Sequence, residues 1–184
     1  MSQAAKRPCE TTVEMNQLVL PQHTNSLGTA FGGTIMSWID ICAAMAAQRH
    51  ARAIVVTASM DAVDFVAPIK GGQLVSLKSS VNWVGRTSME VGVRVETENT
   101  LTGERDHAAS AYLTFVALDE AGKPKPVPPL VPESPGEKLR FQEAVARRAQ
   151  RLALADERRR LAETHAEPNH GAPNHGEQAE QGEP

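Results

Sequence analysis

The stretch "HTNSLGTAFGGTIMSWIDICAAMAAQ", residues 23–48, decides the fold of this chain. After Gly33 it contains neither proline nor glycine, and good helix formers continue to about His50, so it predicts a helix with a glycine-rich start. Apolar residues point in nearly every direction around that helix, which is typical of a buried helix. Asp40 interrupts them, and a buried carboxylate costs free energy unless it is paired, neutralised or used in chemistry. Asp40 is therefore the first candidate functional residue.

Segments typical of strands lie on both sides of the helix. Residues 11–20 alternate loosely before it, and after it the apolar period changes from 3.6 to 2 in residues 54–69, 71–85, 88–99 and 105–118. One strand, one buried helix and four further strands predict an α+β domain in which an antiparallel sheet wraps around the helix. A small sheet leaves one side of such a helix uncovered, so a second chain is a candidate cover.

The alternation also assigns residues to faces of the sheet. In the second segment after the helix it places four apolar residues on one face: Val75, Leu77, Val81 and Trp83. In the next segment it separates an apolar face from a charged one, with Met89, Val91, Val93 and Val95 opposite Glu90, Arg94 and Glu96. The residues between these two segments, Gly85 to Thr87, predict a hairpin turn.

The composition argues against nucleic acid as a partner. The chain has 184 residues, 41% hydrophobic and 22% charged, which is near the average for one globular domain with its own core. Its formal net charge is -3 and its calculated pI is about 6.1. Binding to phosphate backbones needs clustered lysine and arginine on a basic surface, so we expect neither DNA nor RNA binding.

The cysteines and the N-terminal residues bear on the cellular location. Cys9 and Cys42 are the only cysteines, which is no disulfide framework and favours a reducing compartment. The first twelve residues contain no apolar stretch of the kind found in signal peptides. The apolar run from Gly32 to Ala47 is too short to span a membrane and carries Asp40 near its centre. These features predict a cytoplasmic protein without a membrane partner.

The character of the chain changes after the last strand. We expect the main domain to span residues 9–122 and a proline-rich exit segment to span 123–136. Residues 137–161 predict a charged helix with a thin apolar stripe. Residues 162–184 repeat "PNHG" and lack aromatic and branched aliphatic side chains, so they predict a disordered tail.

The spacing of the candidate residues suits hydrolysis of an acyl group. Asp40 follows Gly33 by seven residues, close to two helical turns, so both lie on nearly the same face. The amides of Gly32 and Gly33 at the positive end of the helix suit a carbonyl oxygen that becomes negative in a transition state. The carboxylate suits a general base acting on water, or a nucleophile. Asn25, in the loop before the helix, has an amide that can orient that water.

Each of these residues also has a purely structural interpretation. Asp40 alone is more often a buried acid bonded to a strand, the two glycines allow close packing, and Asn25 tolerates unusual loop dihedrals. Cys42 is a rival nucleophile, but it lies about 200 degrees around the helix from Asp40 and is interpreted as core. The sequence shows no zinc-ligand spacing, and no metal site is expected.

Three segments resemble a known family. "NSLGTAFGGTIMSWID" (25–40), "VTASMDAVDFVAPI" (56–69) and "GRTSMEV" (85–91), with the proline-rich exit, resemble the acyl-CoA thioesterases of the hotdog superfamily, acyl-CoA hydrolase type. The similarity runs in register from about Thr11 to Pro129. It implies a hotdog fold and the hydrolysis of acyl-CoA thioesters to a free fatty or other carboxylic acid and coenzyme A, without a cofactor.

The resemblance also implies roles for individual residues. The family's catalytic pair matches Asn25 and Asp40, contributed to each site by opposite subunits of a homodimer that often assembles into a trimer of dimers. Coenzyme A binding maps onto Arg86, Thr87 and Ser88. A guanidinium at a hairpin turn suits a phosphate and Ser88 adds a hydrogen bond, although a solvated turn arginine is as good an interpretation.

Two other functions remain to be weighed. A hotdog dehydratase requires a histidine paired with an acid in the helix region, and no histidine lies in the right segment. A non-catalytic acyl-CoA sensor or scaffold of hotdog fold stays open as the alternative to an enzyme. The helix after the proline-rich segment has mixed charge and is a poor DNA-binding module, which argues against a transcriptional regulator.

Overall fold

The computed structural model describes residues 4–61 and 63–165, which form two helices, six strands and two short 3-10 turns. The 3-10 turns are Pro8–Glu10 and Pro21–His23, and the helices are α1 (Gly32–Ala51) and α2 (Pro135–His165). The strands are β1 (Val13–Leu18), β2 (Ile54–Met60), β3 (Asp64–Phe65), β4 (Leu74–Val84), β5 (Ser88–Glu98) and β6 (Arg105–Leu118). The chain divides into two compact units at Ala146, and the first contains the whole sheet and α1.

The strands form one antiparallel sheet in the order β1-β4-β5-β6-β2. β3 pairs with β6 beyond the end of β2, with Phe65 opposite Ala109. Val84 pairs with Met89 across the turn that joins β4 to β5, so the predicted hairpin is present. The α+β fold class, an antiparallel sheet wrapped around a long central helix, is confirmed.

The core lies between α1 and one face of the sheet. α1 contributes Ile35, Ile39, Cys42, Ala43, Ala46 and Ala47, none of which has any exposed surface. The sheet contributes alternate residues of its strands, among them Val75, Leu77, Val81, Met89, Val91, Val95, Leu113 and Phe115. Small side chains on this side of α1 let the helix lie close to the strands, and burial of branched side chains supplies the main favourable term in folding.

The sheet has several register shifts, and two departures from the predicted alternation concern the segment 54–69 and β4. The segment 54–69 is not one strand, because Met60 pairs with Leu113 while Asp64 pairs with Ser110. Between these two pairs, three residues of the segment 54–69 lie opposite two residues of β6, which interrupts the pairing with β6. A bulge after Val81 has the same effect in β4: Trp83 pairs with Glu90 and leaves the face to which the sequence assigned it.

The segment after β6 crosses the end of the sheet where α1 ends. The Val127 amide donates to the Arg86 carbonyl oxygen at 3.0 Å, and the Lys6 amide donates to that of Pro129 at 2.9 Å. α2 follows and includes the residues for which the sequence predicted a charged helix. α2 continues to His165 and so includes the first four residues of the predicted disordered tail, and the remainder of that tail lies outside the described residues. No helix in the part of the chain that the structure describes is long and apolar enough to cross a membrane.

Candidate active site

Asp40 lies on the side of α1 that the sheet does not cover. Its residue is half-buried, and its Oδ1 accepts a hydrogen bond of 2.7 Å from the hydroxyl of Thr57. Thr57 belongs to β2, where it pairs with Phe115. An edge strand therefore holds one oxygen of the carboxylate in place, while the residue stays accessible from the open side of the helix.

Thr57 is the site residue that the sequence analysis did not find. In the segment "IVVTAS" it occupies an inward position in register with Val55, where an apolar side chain is the usual choice. Thr57 is nevertheless exposed in one chain, so its position in the strand gave no signal that it has a partner. Its partner is Asp40, 17 residues earlier in the chain, and only the curvature of the sheet brings the two together.

The start of α1 is the second part of the site. Phe31 is the N-cap residue, and among the described residues no side chain caps this helix start. A Cβ atom added at Gly33 would lie 2.7 Å from Cε1 of the Phe31 ring, closer than real contacts allow. A side chain at position 33 would therefore have to displace the Phe31 ring, which is 62% exposed. With glycine there, the first amides lie uncapped at the positive end of the helix dipole.

Asn25 holds the loop that leads into α1. Its Oδ1 accepts from the amides of Leu27 at 2.9 Å and Thr29 at 3.3 Å, and its Nδ2 donates to the Thr29 hydroxyl at 3.0 Å. These bonds fix a tight turn of the kind that asparagine favours. Within the described residues no hydrogen bond joins Asn25 to Asp40, and the catalytic pairing of the two stays a prediction.

The residues predicted to bind coenzyme A, Arg86, Thr87 and Ser88, lie near the C-terminal end of α1. The helix starts at Gly32, beside Phe65, and its last turn carries His50, whose Nε2 bonds to the Pro128 carbonyl oxygen at 2.8 Å. The neighbouring Val127 bonds to Arg86 in the β4–β5 turn. Twenty helical residues span about 30 Å, so one chain separates its helix start from the turn by roughly that length.

Arg86 itself is exposed, while Thr87 and Ser88 are half-buried. The backbone of the turn is well tied, since the Ala117 amide donates to the Thr87 carbonyl oxygen at 2.9 Å and the Gly85 amide to that of Ser88 at 2.8 Å. A rigid turn that presents one guanidinium is a suitable phosphate contact, but it belongs to a different region of this chain from Asp40.

The uncovered side of α1 and the neighbouring edge strand both expose large apolar side chains. Met36 and Ile41 of α1 are 41% and 48% exposed. Ile54 and Val56 of β2, 63% and 43% exposed, lie on the face of the sheet opposite to that of Val55 and Thr57. One side of α1 is therefore open in a single chain, which agrees with the expectation that a small sheet leaves one side of the helix uncovered. A free edge strand with apolar residues is a template for pairing with another chain.

Cys42 behaves as the sequence predicts for a core residue. It has no exposed surface, and its Sγ lies 3.3 Å from the Ser79 hydroxyl and 3.6 Å from the Leu77 carbonyl oxygen. Burial raises the pKa of the Cys42 thiol, so the nucleophilic thiolate is disfavoured. No cluster of three or more histidine, cysteine or acidic side chains suited to a metal occurs among the described residues.

Comparison with known proteins identifies the family. Residues 27–104 match the model of the thioesterase superfamily. An uncharacterized acyl-CoA thioester hydrolase of Bacillus subtilis, YkhA, is 50% identical over 142 residues, which cover 77% of this chain and 83% of that protein.

Solved structures agree with this assignment. An acyl-CoA hydrolase from Staphylococcus aureus, in complex with butyryl coenzyme A, coenzyme A and coenzyme A disulfide, superposes with a TM-score of 0.82 at 43% identity, covering 89% of this chain and 99% of that one. Structures also exist of variants of that enzyme in which one aspartate, one asparagine or one threonine is replaced by alanine.

An apo-hexameric acyl-CoA thioesterase gives a TM-score of 0.81 at 44% identity and covers 83% of this chain and 98% of its own. A central helix in an antiparallel sheet, the matched family model and a relative that is half identical all point to the same assignment. The chain belongs to the thioesterase superfamily and, within it, to the acyl-CoA thioester hydrolases of hotdog fold.

Proposed function

We propose that this protein hydrolyses acyl-CoA thioesters with Asp40 as the general base. The observation that carries the proposal is the carboxylate of Asp40, held by Thr57 on the open side of a helix whose start is uncapped. The three positions replaced by alanine in the Staphylococcus aureus enzyme support it. They are an asparagine, an aspartate and a threonine at the same intervals along the chain as Asn25, Asp40 and Thr57 here.

The reaction follows from the chemistry of these groups. Asp40 takes a proton from a water molecule, and the water oxygen attacks the thioester carbonyl carbon. The amides of Gly32 and Gly33 stabilise the negative carbonyl oxygen of the tetrahedral intermediate. The carbon–sulfur bond then breaks, the acid is released, and the proton passes to the sulfur of coenzyme A. In this scheme Asn25 orients the water or the substrate.

Direct attack by Asp40 is the other route open to a carboxylate. It would form a mixed anhydride between Asp40 and the acyl group, which water then hydrolyses. A single turnover in water enriched in oxygen-18 separates general-base catalysis from an anhydride that water opens at the Asp40 carbon. General-base catalysis puts the label in the released acid alone, whereas hydrolysis of the anhydride at the Asp40 carbon leaves it in the protein.

We further propose that two chains complete each site. Asn25 is bonded within its own loop, and Arg86 lies about a helix length from Gly32 in the same chain. A two-fold axis beside β2 would pair the edge strands and cover the exposed apolar surface of α1. It would also supply Asn25, or the Arg86, Thr87 and Ser88 turn, from the partner to the site of Asp40.

Arg86 would then bind a phosphate of coenzyme A, with the hydroxyls of Thr87 and Ser88 donating further hydrogen bonds. A trimer of such dimers is the proposed full assembly, supported by the hexameric relative. The scheme uses no metal and no redox cofactor. Coenzyme A takes part as the leaving group of the substrate.

The test is the release of free thiol from a series of acyl-CoA thioesters, measured with and without a chelator. We expect turnover with several chain lengths and no loss of rate on chelation. A sensor or scaffold would bind the same compounds in calorimetry without releasing thiol, and that result would replace the proposed activity by the alternative function.

A further inference from the structure

The Asn25 loop, residues 20–31, closes on itself before α1 begins. The His23 carbonyl oxygen accepts from the Phe31 amide at 2.8 Å, and the Asn25 amide donates to the Thr29 carbonyl oxygen at 2.8 Å. Phe31 is the N-cap residue of α1, so the bond that closes the loop also joins it to the helix start. His23 thus lies at the base of the loop, two residues before Asn25.

Backbone hydrogen bonds to residues 69–71 fix one side of the Asn25 loop. The Ala30 amide donates to the Ile69 carbonyl oxygen at 2.7 Å, and the Gly71 amide donates to that of Gly28 at 3.0 Å. Both bonds lie in the half of the loop that follows Asn25. A second attachment, in the half that precedes Asn25, would fix the loop against α1 as well.

The side chain of His23 provides that second attachment. Its ring packs against Trp38 of α1 in an edge-to-face arrangement, with the ring centroids 5.0 Å apart and an angle of 89° between the planes. This geometry is among those that aromatic pairs prefer. Trp38 is only 9% exposed, whereas His23 is half-buried. The loop before Asn25 therefore contacts a buried ring on the helix that also carries Asp40.

A hydrogen bond fixes the orientation of the His23 ring. Its Nδ1 accepts from the Leu20 amide at 3.2 Å, so the neutral ring carries its proton on Nε2. Leu20 is the residue before the 3-10 turn Pro21–His23, and the bond closes that turn. The ring is thus held by the backbone of its own loop while it contacts Trp38.

We propose that His23 is a positioning residue for catalysis, which holds Asn25 at the active site by attaching its loop to Trp38. The proposal rests on the proposed thioesterase function, because that function assigns Asn25 the orientation of the water or the substrate. A displacement of about 1 Å in a positioning group can cost roughly 100-fold in rate. His23 itself touches no reacting atom in this scheme and acts through Asn25.

Two substitutions separate the two contacts of the His23 side chain. His23→Phe keeps a ring beside Trp38 and leaves the Leu20 amide to bond to water, because Leu20 is 39% exposed. His23→Asn keeps an acceptor for that amide and removes the ring. We expect His23→Asn to lower kcat about fivefold, the effect of losing an aromatic pair, and His23→Phe to retain most of the parental kcat. KM should change little in both variants, because coenzyme A is proposed to bind at the Arg86 turn.

A double-mutant cycle with Trp38→Leu tests whether His23 acts through Trp38. Because each single change breaks the same contact, the double variant His23→Asn/Trp38→Leu should have the kcat of Trp38→Leu alone. His107→Asn is the matched control, since it removes a half-buried histidine that bonds to the Ser110 hydroxyl at 3.3 Å on the sheet. It should leave kcat unchanged.

Hydrogen exchange of backbone amides tests the attachment without turnover. The amides of Leu27 and Thr29, which donate to Asn25 Oδ1, should exchange faster in His23→Asn, while those of β5 should not change. A parent that releases no thiol would fail the proposed function, and faster exchange would then still support the attachment of the loop. Unchanged exchange in the loop would overturn the proposal. So would a parental kcat in His23→Asn, a larger loss in His23→Phe than in His23→Asn, or additive effects in the cycle.

Discussion

Asp40 and Cys42 lie two residues apart in α1, yet they lie on sides of the helix that differ in exposure. On the covered side Cys42 has no exposed surface and contacts only core groups and Ser79. On the open side Asp40 keeps access to solvent and is held by Thr57. A thiol is intrinsically the better nucleophile, but burial removes its reactive form. The environment of each side, rather than the side chain alone, decides which residue is available for chemistry.

The strongest test of that difference is Asp40→Asn. The change keeps the shape and the hydrogen bond from Thr57 but removes the base, so kcat should fall about 100-fold or more while KM changes little. The melting temperature should hold or rise, because a half-buried charge is replaced by a neutral group. Steady-state kinetics and calorimetry measure both. A variant that unfolds readily but keeps the parental rate would make Asp40 a structural acid.

Thr57→Val should have the next largest effect. It removes the hydroxyl that holds Asp40 while keeping a branched side chain of the same size, so kcat should fall about tenfold. Thr57→Ser is the matched control and should retain most of the activity. Equal rates for the two variants would show that the hydrogen bond to Asp40 does not position it for catalysis.

Cys42→Ala tests whether the covered side of α1 contributes to stability rather than to catalysis. Loss of a fully buried sulfur should lower the free energy of unfolding by about 1–2 kcal/mol and leave kcat unchanged. Thiol-modifying reagents should correspondingly fail to inactivate the folded parent. If Cys42→Ala stays folded but loses turnover, the assignment of the open side as the active side is wrong.

The pH dependence of stability, through His50, tests whether the covered side of α1 tolerates a charge. Its Nε2 carries the proton, since it bonds to the Pro128 carbonyl oxygen, and its buried Nδ1 has no partner among the described residues. Burial lowers the pKa of His50 below its usual 6.5, with the Lys6 ammonium adding to the effect and Glu10 opposing it. The unfolded chain therefore binds this proton at a higher pH than the folded chain does.

The stabilising contribution of neutral His50 is complete above about pH 6.5 and is lost as the pH falls toward the lowered pKa. We expect the melting temperature to decrease from pH 7 to pH 5 by a few degrees, and His50→Gln to show a flatter profile. An identical slope in parent and variant would mean that His50 does not titrate in this range.

The sequence predicted what depends on local spacing and missed what depends on long-range pairing. The seven residues from Gly33 to Asp40 place both on one helix face, and alternation placed Met89 and Val91 in the core. Thr57 could not be found this way, because its partner is set by the curvature of the sheet. The bulge at Trp83 was missed for the same reason, since the alternation in β4 gives no sign that β5 is one residue shorter across from it.

The resemblance to a family added two expectations that spacing could not supply, the pairing of Asn25 with Asp40 and coenzyme A binding at the Arg86 turn, and both stay predictions. In one chain Asn25 bonds within its own loop, and Arg86 lies near the end of α1. We propose that these residues form one site when a second copy covers the open side of the helix. We propose that the open side of α1 both carries the active site around Asp40 and forms the interface with a second chain.

The most direct test mixes two inactive variants, Asn25→Ala and Asp40→Ala, unfolded and refolded together in equal amounts. If each site takes Asn25 from one chain and Asp40 from the other, half of the dimers are mixed and each mixed dimer has one intact site. The mixture should then regain about a quarter of the parental thioesterase activity, whereas each variant alone stays inactive. Mixed oligomers, detected by differently tagged chains, that show no activity would contradict the account and place both residues in a site built from a single chain.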